Sequence, residues 1–415
     1  MKVVIATAVY YPQVNGVAVF SHNLAVGLVK RGIEVMVICP SQTGKNYTKV
    51  IDGVETVYLK SVETKIYHDQ IHALPKKKRF LGMTLPKLFY RHGFRVSVFP
   101  QSEIKKAMGE FQPDVVHVQV SDPIGLSVVS YARKHKIPVV TTEHNQPEVL
   151  TSSLMMPKLV KKPINALLSA YFRNRQSKSD FVTMPTEQAI ENLLKEHELG
   201  VPVAAVSNGV DLAHFKPGKV DDKIFEKYKI PKDRKIVLYV GRVDPEKKVD
   251  LAMEAFLKAR KKVPKAVFLI VGDGVDKARL EQRVVAANAV GEVRLIGRVL
   301  PPDLFELYKI GDVFVTASEI ETQGIVLIEA AATGLPLIAV DKGAVSEVCL
   351  DGENGYLCEP GNVAEISEAM AKILTDNKLK TKFSKKSLEI AKEHDFETTL
   401  DKFINIYNHV IKSNR

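Results

Sequence analysis

The sequence predicts an α/β protein made of two Rossmann-like, doubly wound domains that face each other across a cleft. Short apolar runs of the kind buried in parallel sheets alternate with helical stretches along the chain. At 415 residues the chain is too long for one ordinary core, and the alternation restarts in its second half. We therefore expect one domain over residues 1–200 and a second over 201–396. A C-terminal helix, 397–415, is expected to pack back on the first domain.

The composition is that of a soluble globular protein, with 45% hydrophobic and 26% charged residues. The three cysteines, Cys39, Cys349 and Cys358, lack metal or redox spacing, and their odd number argues against a disulfide framework. The apolar run at the N-terminus is too short for a signal peptide, and no segment approaches about 18 uninterrupted apolar residues. These features predict a cytoplasmic protein with no membrane-spanning helix.

The positive charge is concentrated in the first half of the chain. Residues 1–200 carry 26 Lys and Arg against 16 Asp and Glu, which is +10 of the total net charge of +11. Such an asymmetry indicates an anionic partner for that half, whether nucleic acid, a phosphate-rich substrate or an anionic lipid surface.

Two basic stretches carry much of this charge. Leu74–Arg95 has seven Lys and Arg, Leu154–Lys178 has six, neither has an acidic residue, and bulky apolar residues are interleaved in both. The pattern favours docking on an anionic membrane surface, where each cation contributes about 1 kcal/mol and apolar side chains insert. A solvated basic face is the plainer alternative. Nucleic acid would accept such a stripe, but no nucleic-acid motif accompanies it, so none is expected as a partner.

The first domain opens with a βαβ unit. A strand at Val3–Ala6 leads through a turn at Gly16 to a helix at Val19–Val29, and a second strand follows at Glu34–Cys39. Glycine in the first βα loop lets the backbone approach a ligand at the carboxyl edge of the sheet. The loop lacks G-x-G-x-x-G, so a dinucleotide site is weakly indicated, and a plain structural turn at Gly16 is an equal alternative.

Two histidines lie on or after later strands of this domain. His117 lies within the apolar run of residues 113–126, which favours a core or supporting position over contact with substrate. His144 comes directly after the strand in residues 137–150, among polar neighbours, and is the better candidate to touch a substrate.

In the second half, a strand is followed by a tight turn at Gly241 and a basic pair, Arg242 and Lys247. Two cations beside a βα loop are what a diphosphate needs, because a bidentate guanidinium and an ammonium can neutralise it without a metal. The alternative is an exposed loop with ordinary charges. There is no Asp-x-Asp, histidine cluster or carboxylate cage, so metal dependence is not indicated.

The stretch Ile310–Val340 organises the second half. It predicts a strand at Val313–Ala317, a polar loop with Glu319 and Glu321, a helix from about Gln323 to Thr333 and a strand at Leu337–Val340.

Within it, Glu321 and Glu329 are eight residues apart, so on a helix they project to one side, about 12 Å apart along its axis. The helix start between them suits a phosphate, and each carboxylate can accept hydrogen bonds from vicinal hydroxyls. This layout matches a nucleotide sugar. Two merely solvated glutamates are the alternative.

Three motifs together resemble the retaining GT-B glycosyltransferases of the glycosyltransferase family 4 group, which includes phosphatidylinositol mannosyltransferases, diacylglycerol glucosyltransferases and sucrose-phosphate synthases. They are Glu-x7-Glu at Glu321 and Glu329, G-R-x4-K at Gly241, Arg242 and Lys247, and SNGVD at Ser207–Asp211. The resemblance covers nearly the whole chain. It implies the GT-B fold and transfer of a hexose from a nucleotide diphosphate sugar.

The resemblance also implies roles for individual residues. Arg242 and Lys247, beside Gly241, bind the diphosphate, Glu329 takes the ribose hydroxyls, and Glu321 holds the hydroxyls of the transferred sugar.

The remaining positions carry over in the same way. The backbone of Gln323, Gly324 and Ile325 contacts sugar and phosphate, Gly16 closes on the diphosphate, and His144 orients the sugar near its anomeric carbon. The sequence departs from the family at Asn15 and Lys248, where glycine is common.

The text ETQG at residues 321–324 resembles the form found in lipid glucosyltransferases. It implies UDP-glucose as donor and a diacylglycerol-type acceptor at the inner face of the cell membrane, with no cofactor or metal. Three alternatives remain: the same reaction on a sugar phosphate or polysaccharide, a mannosyltransferase that uses GDP-mannose, and a non-enzymatic protein that binds anionic membranes or nucleic acid.

Overall fold

The computed structural model describes residues 1–13, 15–63, 95–119, 122–144, 158–196 and 198–414. The chain forms two compact units. Unit 1 comprises Met1–Ser207 and Leu400–Arg415, and unit 2 comprises Asn208–Thr399. In the described part of the chain, none of the helices is both long and apolar enough to cross a bilayer.

Unit 1 is built on an eight-stranded sheet in the order β10-β9-β8-β7-β1-β2-β4-β3. All neighbouring strands are parallel except β3 and β4. The strands of this sheet are β1 (Lys2–Ala6), β2 (Glu34–Pro40), β3 (Tyr47–Ile51), β4 (Val54–Leu59), β7 (Val115–Val118), β8 (Val139–Thr142), β9 (Phe181–Met184) and β10 (Val203–Ala205). A separate two-stranded ribbon joins β5 (Ser61–Glu63) and β6 (Arg95–Ser97).

The described helices of unit 1 connect these strands. They are α1 (Gly16–Lys30), α2 (Gln101–Phe111), α3 (Pro123–Lys134), α4 (Lys158–Gln176) and α5 (Glu187–Glu196). Helix α1 begins three residues before the predicted start because the Asn15 side chain accepts a hydrogen bond from the Ala18 N–H and caps it.

One predicted assignment is wrong. The predicted boundary at residue 200 assigns β10 (Val203–Ala205) to the second domain, but this strand pairs in parallel with β9 in unit 1. The sequence cannot show this pairing, because a three-residue apolar run fits the edge of either sheet.

Unit 2 is built on a six-stranded parallel sheet in the order β13-β12-β11-β14-β15-β16. Its strands are β11 (Lys235–Val240), β12 (Ala266–Val271), β13 (Val293–Gly297), β14 (Val313–Val315), β15 (Leu337–Val340) and β16 (Gly355–Cys358). Alternate residues of β12 belong to two separate core clusters, Phe268 and Ile270 to one and Val267 and Leu269 to the other. Both faces of the sheet are therefore covered, as its continuous apolar strands require.

The helices of unit 2 follow the strands. They are α6 (Lys223–Lys227), α7 (Val249–Ala259), α8 (Lys277–Ala286), α9 (Asp303–Lys309), α10 (Ile325–Ala332), α11 (Val363–Thr375) and α12 (Asn377–Glu393). Short 3-10 helices lie at Pro245–Lys247 and Gly343–Glu347.

The last helix, α13 (Phe396–Ser413), passes from unit 2 into unit 1. In unit 1, the Phe20 and Phe403 rings lie 5.9 Å apart. The Tyr407 hydroxyl lies 2.7 Å from Nδ1 of the buried His117. His117 is thus a core residue held by the C-terminal helix.

Lys248, between the 3-10 helix and α7, has left-handed backbone angles, φ 48° and ψ 39°. A side chain in this region costs about 1–2 kcal/mol relative to glycine. The departure from glycine at this position therefore carries strain, and the Lys248 ammonium forms an ion pair with Glu319.

We expect Lys248→Gly to be more stable than Lys248→Ala by about 0.5–1 kcal/mol. Both variants lose the ion pair, so backbone strain alone separates them. Urea unfolding midpoints measure the difference. At Lys258, in the last turn of α7, the order should be reversed, with the alanine variant more stable than the glycine variant. Equal midpoints for the two Lys248 variants would contradict the strain.

Candidate functional site

The strand order of unit 2 reverses between β11 and β14. Chain connections run outwards to β12 and β13 on one side and to β15 and β16 on the other. Loops leaving the carboxyl ends of β11 and β14 diverge at such a point and leave a crevice, where open α/β sheets bind ligands. Gly241, Arg242 and Lys247 follow β11, and Glu319 and Glu321 follow β14.

The backbone after β11 makes a close approach that requires glycine. Gly241 has φ +151°, and a Cβ on Gly272 would lie 1.8 Å from the Gly241 carbonyl oxygen. The Tyr239 hydroxyl donates to the Arg242 carbonyl oxygen at 2.7 Å and so stabilises the turn. These contacts fix the position from which the Arg242 side chain leaves the loop.

The Arg242 guanidinium is held by two carboxylates of its own loop. It donates to Asp244 and, at 2.8 Å, to Glu246. About two fifths of its side chain is exposed. Asp244 and Glu246 were missed by the sequence analysis, although an acid two or four residues after an arginine in a loop is a usable signal.

Lys247 connects the loop after β11 to the loop after β14, where the strand order reverses. Its Nζ donates to Glu321 Oε1 at 2.6 Å and lies 3.4 Å from the Ile320 carbonyl oxygen. Both charged side chains are more than four fifths buried. The structure therefore brings together a predicted diphosphate-binding cation and a predicted sugar-binding carboxylate that are 74 residues apart.

Helix α10 starts later than predicted. It begins at Ile325 rather than about Gln323, and strand β14 ends at Val315 rather than Ala317. Glu321 lies in the loop and Glu329 in the second turn of the helix, so projecting both along one helix was wrong. The left-handed Gly324, with φ 75°, sets the start, because a side chain there would meet Leu327 at 2.8 Å.

Gln323 is buried and anchors the loop. Its Oε1 accepts from the Asn208 backbone N–H at 3.1 Å and from Asn208 Nδ2 at 2.7 Å. The SNGVD motif thus supports the loop before α10 from within unit 2. Oδ1 of Asn208 is buried without a hydrogen-bond partner.

Glu329 has a partner that the sequence did not reveal. The hydroxyl of the buried Tyr308, on α9, donates to Glu329 Oε2 at 2.5 Å. Burial raises the pKa of Glu329 to about 7, and the Tyr308 hydrogen bond opposes that rise. The carboxylate is therefore only marginally ionised near neutral pH and depends on Tyr308 for its charge.

Glu319 forms a second bridge beside the first. It accepts from Lys248, on the loop after β11, and at 3.2 Å from Lys342, which follows β15. Burial alone would raise the pKa of Glu319, but the two lysines outweigh burial and lower it. Three loops of the carboxyl edge are thus tied together by charge.

Two predicted site residues lie in unit 1. Gly16 is exposed at the first position of α1, directly after the Asn15 cap. His144 is buried, and its Nε2 lies 2.7 Å from Oε1 of Gln119 at the end of β7. An amide oxygen can only accept, so Nε2 carries the hydrogen and Nδ1 is left as an acceptor. Burial lowers the pKa of His144 to about 4, which keeps the ring neutral at pH 7.

Glu143, next to His144, is also buried. Its Oε1 has no hydrogen-bond partner, and neither has Nη1 of the buried Arg175. Burial raises the pKa of Glu143 to about 7, although Arg175 and Gln176 oppose the rise. The neighbouring Asn145 lies outside the described residues.

The described residues contain no group of three or more His, Cys, Asp or Glu side chains that could hold a metal ion.

Two protein families match consecutive parts of the chain. Residues 14–214 match Glycosyltransferase Family 4, and residues 220–389 match Glycosyl transferases group 1.

Named relatives have similar sequences. The chain is 27% identical to alpha-monoglucosyldiacylglycerol synthase of Acholeplasma laidlawii over 86% of this chain and 84% of that protein. It is 28% identical to GDP-mannose-dependent alpha-mannosyltransferase of Mycobacterium tuberculosis over 87% and 84%.

A solved structure shares the fold. Sucrose-phosphate synthase from Thermosynechococcus elongatus aligns with a TM-score of 0.76 and 20% identity over all of both chains. This likeness confirms the prediction of two Rossmann-like domains. The chain belongs to the glycosyltransferases of the GT-B type, with a Glycosyltransferase Family 4 domain followed by a Glycosyl transferases group 1 domain.

Proposed function

We propose that this protein transfers a hexose, with glucose from UDP-glucose as the first candidate, to the hydroxyl of a membrane lipid such as diacylglycerol. The transfer retains the anomeric configuration and uses no metal. The observation that carries the proposal is the Lys247–Glu321 contact, which joins a cation and a carboxylate at the strand reversal of unit 2. In such a pair, the lysine can bind the phosphate of a sugar phosphate and the carboxylate can accept hydrogen bonds from the sugar hydroxyls.

In this proposal the donor exchanges partners with the ion pairs. Its diphosphate takes Arg242 from Asp244 and Glu246, and takes Lys247 from Glu321. Glu321 then accepts hydrogen bonds from the sugar hydroxyls, and Glu329 accepts them from the ribose. The backbone of Gln323, Gly324 and Ile325 meets sugar and phosphate at the start of α10, where the first N–H groups have no partner within the helix.

The chemical step follows a front-face route. The acceptor oxygen bonds to the anomeric carbon as the bond from that carbon to the phosphate oxygen breaks, and the hydroxyl proton passes to the departing phosphate. Arg242, Lys247 and the helix start stabilise the negative charge that develops on the phosphate, which is usually the largest catalytic contribution. Gly16 and the neutral His144 are the proposed contacts from unit 1, His144 orienting the sugar.

Helix α4 supports a lipid acceptor. Its exposed apolar residues recur with helical spacing and form one stripe: Pro163, Ala166, Leu167, Ala170 and Tyr171. Exposed Lys162 and Arg173 lie along one edge of the stripe. An apolar stripe bordered by cations is the pattern of a helix that lies on an anionic membrane. The diacylglycerol synthase name of one relative supports the same acceptor.

The other basic stretch is described only at its end. Residues 74–94 and 154–157 lie outside the described residues. Arg95 is not available to a membrane as predicted. Its guanidinium is turned inwards and donates to Ser61 and Glu63.

A second candidate is transfer of mannose from GDP-mannose, favoured by the name of the mycobacterial relative. A soluble acceptor, such as a sugar phosphate or polysaccharide, remains the alternative on the acceptor side. One experiment separates these candidates. The protein is incubated with labelled UDP-glucose or GDP-mannose and diacylglycerol vesicles, with and without EDTA.

We expect glucose label to enter the organic phase, and EDTA to leave the rate unchanged because the two cations replace a metal. Mannose label there would favour the second candidate. Label that remains in the aqueous phase as a glycoside would refute the lipid acceptor, and strict dependence on Mg²⁺ or Mn²⁺ would refute the metal-free mechanism.

Arg242→Ala and Lys247→Ala should each lower kcat by about 100-fold. Each substitution removes a positive charge that stabilises the negative charge on the departing phosphate. The matched controls are Arg260→Ala, at the C-cap of α7, and Lys258→Ala, in its last turn; they remove cations paired with Glu292 and Glu254 away from the site. Steady-state kinetics measure the effect, and unfolding midpoints verify that the fold is retained. Wild-type kcat in either site variant would refute the assigned role.

Glu329→Gln should weaken donor binding yet stabilise the fold above pH 7. The carboxyl has a folded pKa of about 7 against an ordinary value of 4.5. The folded wild type therefore binds more protons, and it loses stability relative to the variant as the pH rises through that interval. A shift of this size corresponds to a change of about 3 kcal/mol between about pH 4 and pH 8.

Unfolding midpoints across the pH range and donor titrations measure the two effects. The exposed Glu368→Gln is the control and should change neither. A pH-independent difference in stability would contradict the raised pKa, and unchanged donor affinity would contradict the ribose contact.

A further inference from the structure

Phe99 is the most exposed of the large apolar side chains among the described residues. It lies in unit 1 between β6 and α2, and 84% of it is accessible to solvent. Val98 beside it is 48% exposed, and Val62, on the partner strand β5, is 56% exposed. Single exposed apolar residues are common on protein surfaces, so exposure alone does not indicate that Phe99 has a function.

The backbone of Phe99 is also strained. Its φ is 53°, in the left-handed region that disfavours any residue with a Cβ and is a true outlier for a bulky one. Phe99 also precedes Pro100, and proline further restricts the residue before it. Exposure of the ring and strain of the backbone both work against folding, so neither is explained by the stability of unit 1. Strain of this kind is characteristic of functional positions.

The ribbon behind Phe99 is well braced. Strands β5 and β6 are antiparallel partners, with Val62 opposite Val96. Arg95 crosses between the strands and donates to the Ser61 hydroxyl at 2.9 Å and to the Ser61 carbonyl oxygen at 3.2 Å. A ring carried on a fixed ribbon loses little conformational entropy when it inserts into another phase.

The charge of the segment that joins β5 to β6 in the sequence favours one kind of partner. The sequence between β5 and β6, residues 64–94, carries seven Lys and Arg and one Asp. On α2, shortly after Phe99, the exposed Lys105 and Lys106 are balanced by the exposed Glu103 and Glu110, so the excess of positive charge lies in the segment 64–94. A basic segment that is adjacent in sequence to exposed apolar side chains fits an anionic bilayer, which offers phosphate groups beside an apolar phase. Nucleic acid would meet the cations but offers no such phase to the valines.

We propose that Phe99 is a membrane anchor that inserts into the boundary between headgroups and acyl chains of an anionic bilayer. Val62 and Val98 belong to the same anchor, which is separate in sequence from α4. The inference rests on the proposed lipid acceptor, since a lipid-modifying enzyme works at a bilayer surface. It goes further by naming a residue that the acceptor proposal does not use.

The sequence contains no tryptophan, so a single introduced tryptophan reports its own surroundings. Phe99→Trp is mixed with vesicles of equal parts phosphatidylglycerol and phosphatidylcholine. We expect its emission to shift to the blue and to be quenched by lipids with brominated acyl chains. Leu167→Trp tests the α4 stripe in the same way. Val285→Trp, which replaces an exposed valine on α8 of unit 2, is the control and should not shift.

The outcomes separate this inference from the acceptor proposal. If Phe99→Trp stays unshifted while Leu167→Trp shifts and wild type sediments with vesicles, the anchor is refuted and the lipid acceptor stands. If wild type does not bind the vesicles at all, both fail. If wild type binds and only Phe99→Trp shifts, the anchor is supported and α4 is not the contact.

Phe99→Gly tests the strain directly. The glycine relaxes the backbone and removes the ring, so the variant should unfold at a higher temperature than wild type, yet bind the vesicles about tenfold more weakly. Hydrolysis of UDP-glucose without acceptor should be unchanged. A lower unfolding temperature would show that Phe99 stabilises the fold, and unchanged vesicle affinity would show that its ring does not insert; either result would overturn the anchor.

Discussion

The Lys247–Glu321 ion pair is the contact on which the functional interpretation of unit 2 depends. It connects the loops that follow β11 and β14, the two strands between which the chain order reverses. Because both side chains are largely buried, the pair is screened by solvent less than a surface pair and holds both loops in place. In the proposed function this pair opens when the diphosphate of the donor takes the lysine.

Near that pair, at the carboxyl edge of the sheet, two glutamates differ in their ionisation. Glu319 is kept ionised by Lys248 and Lys342, whereas Glu329 is pushed towards its neutral form by burial and opposed by Tyr308. Two acids of one loop–helix segment therefore differ in charge because of their neighbours. Local strain accompanies this arrangement: Lys248 adopts a conformation suited to glycine, and its ammonium makes one of the bridges.

Unit 1 differs from unit 2 in the polar groups of its interior and in the apolar residues of its surface. Its interior carries neutral polar groups at the sheet edge, with His144 held by Gln119 and His117 held by Tyr407. Its surface carries exposed apolar side chains along α4 and at the β5–β6 ribbon. Protein stability explains the interior arrangement, since buried polar groups need partners. It does not explain the exposed apolar residues, for which we have proposed a bilayer as the partner.

The two Rossmann-like domains follow from the sequence alone, because continuous apolar strands and intervening helices are local patterns. The spacing of recognisable motifs also predicts Arg242, Lys247, Glu321 and Glu329 as site residues. Tertiary structure alone decided where β10 pairs, that α10 starts at Ile325, and that Tyr308, Asn208 and Lys342 support the site. The reason is that hydrogen bonds and ion pairs join residues far apart in the chain, and no local spacing encodes them.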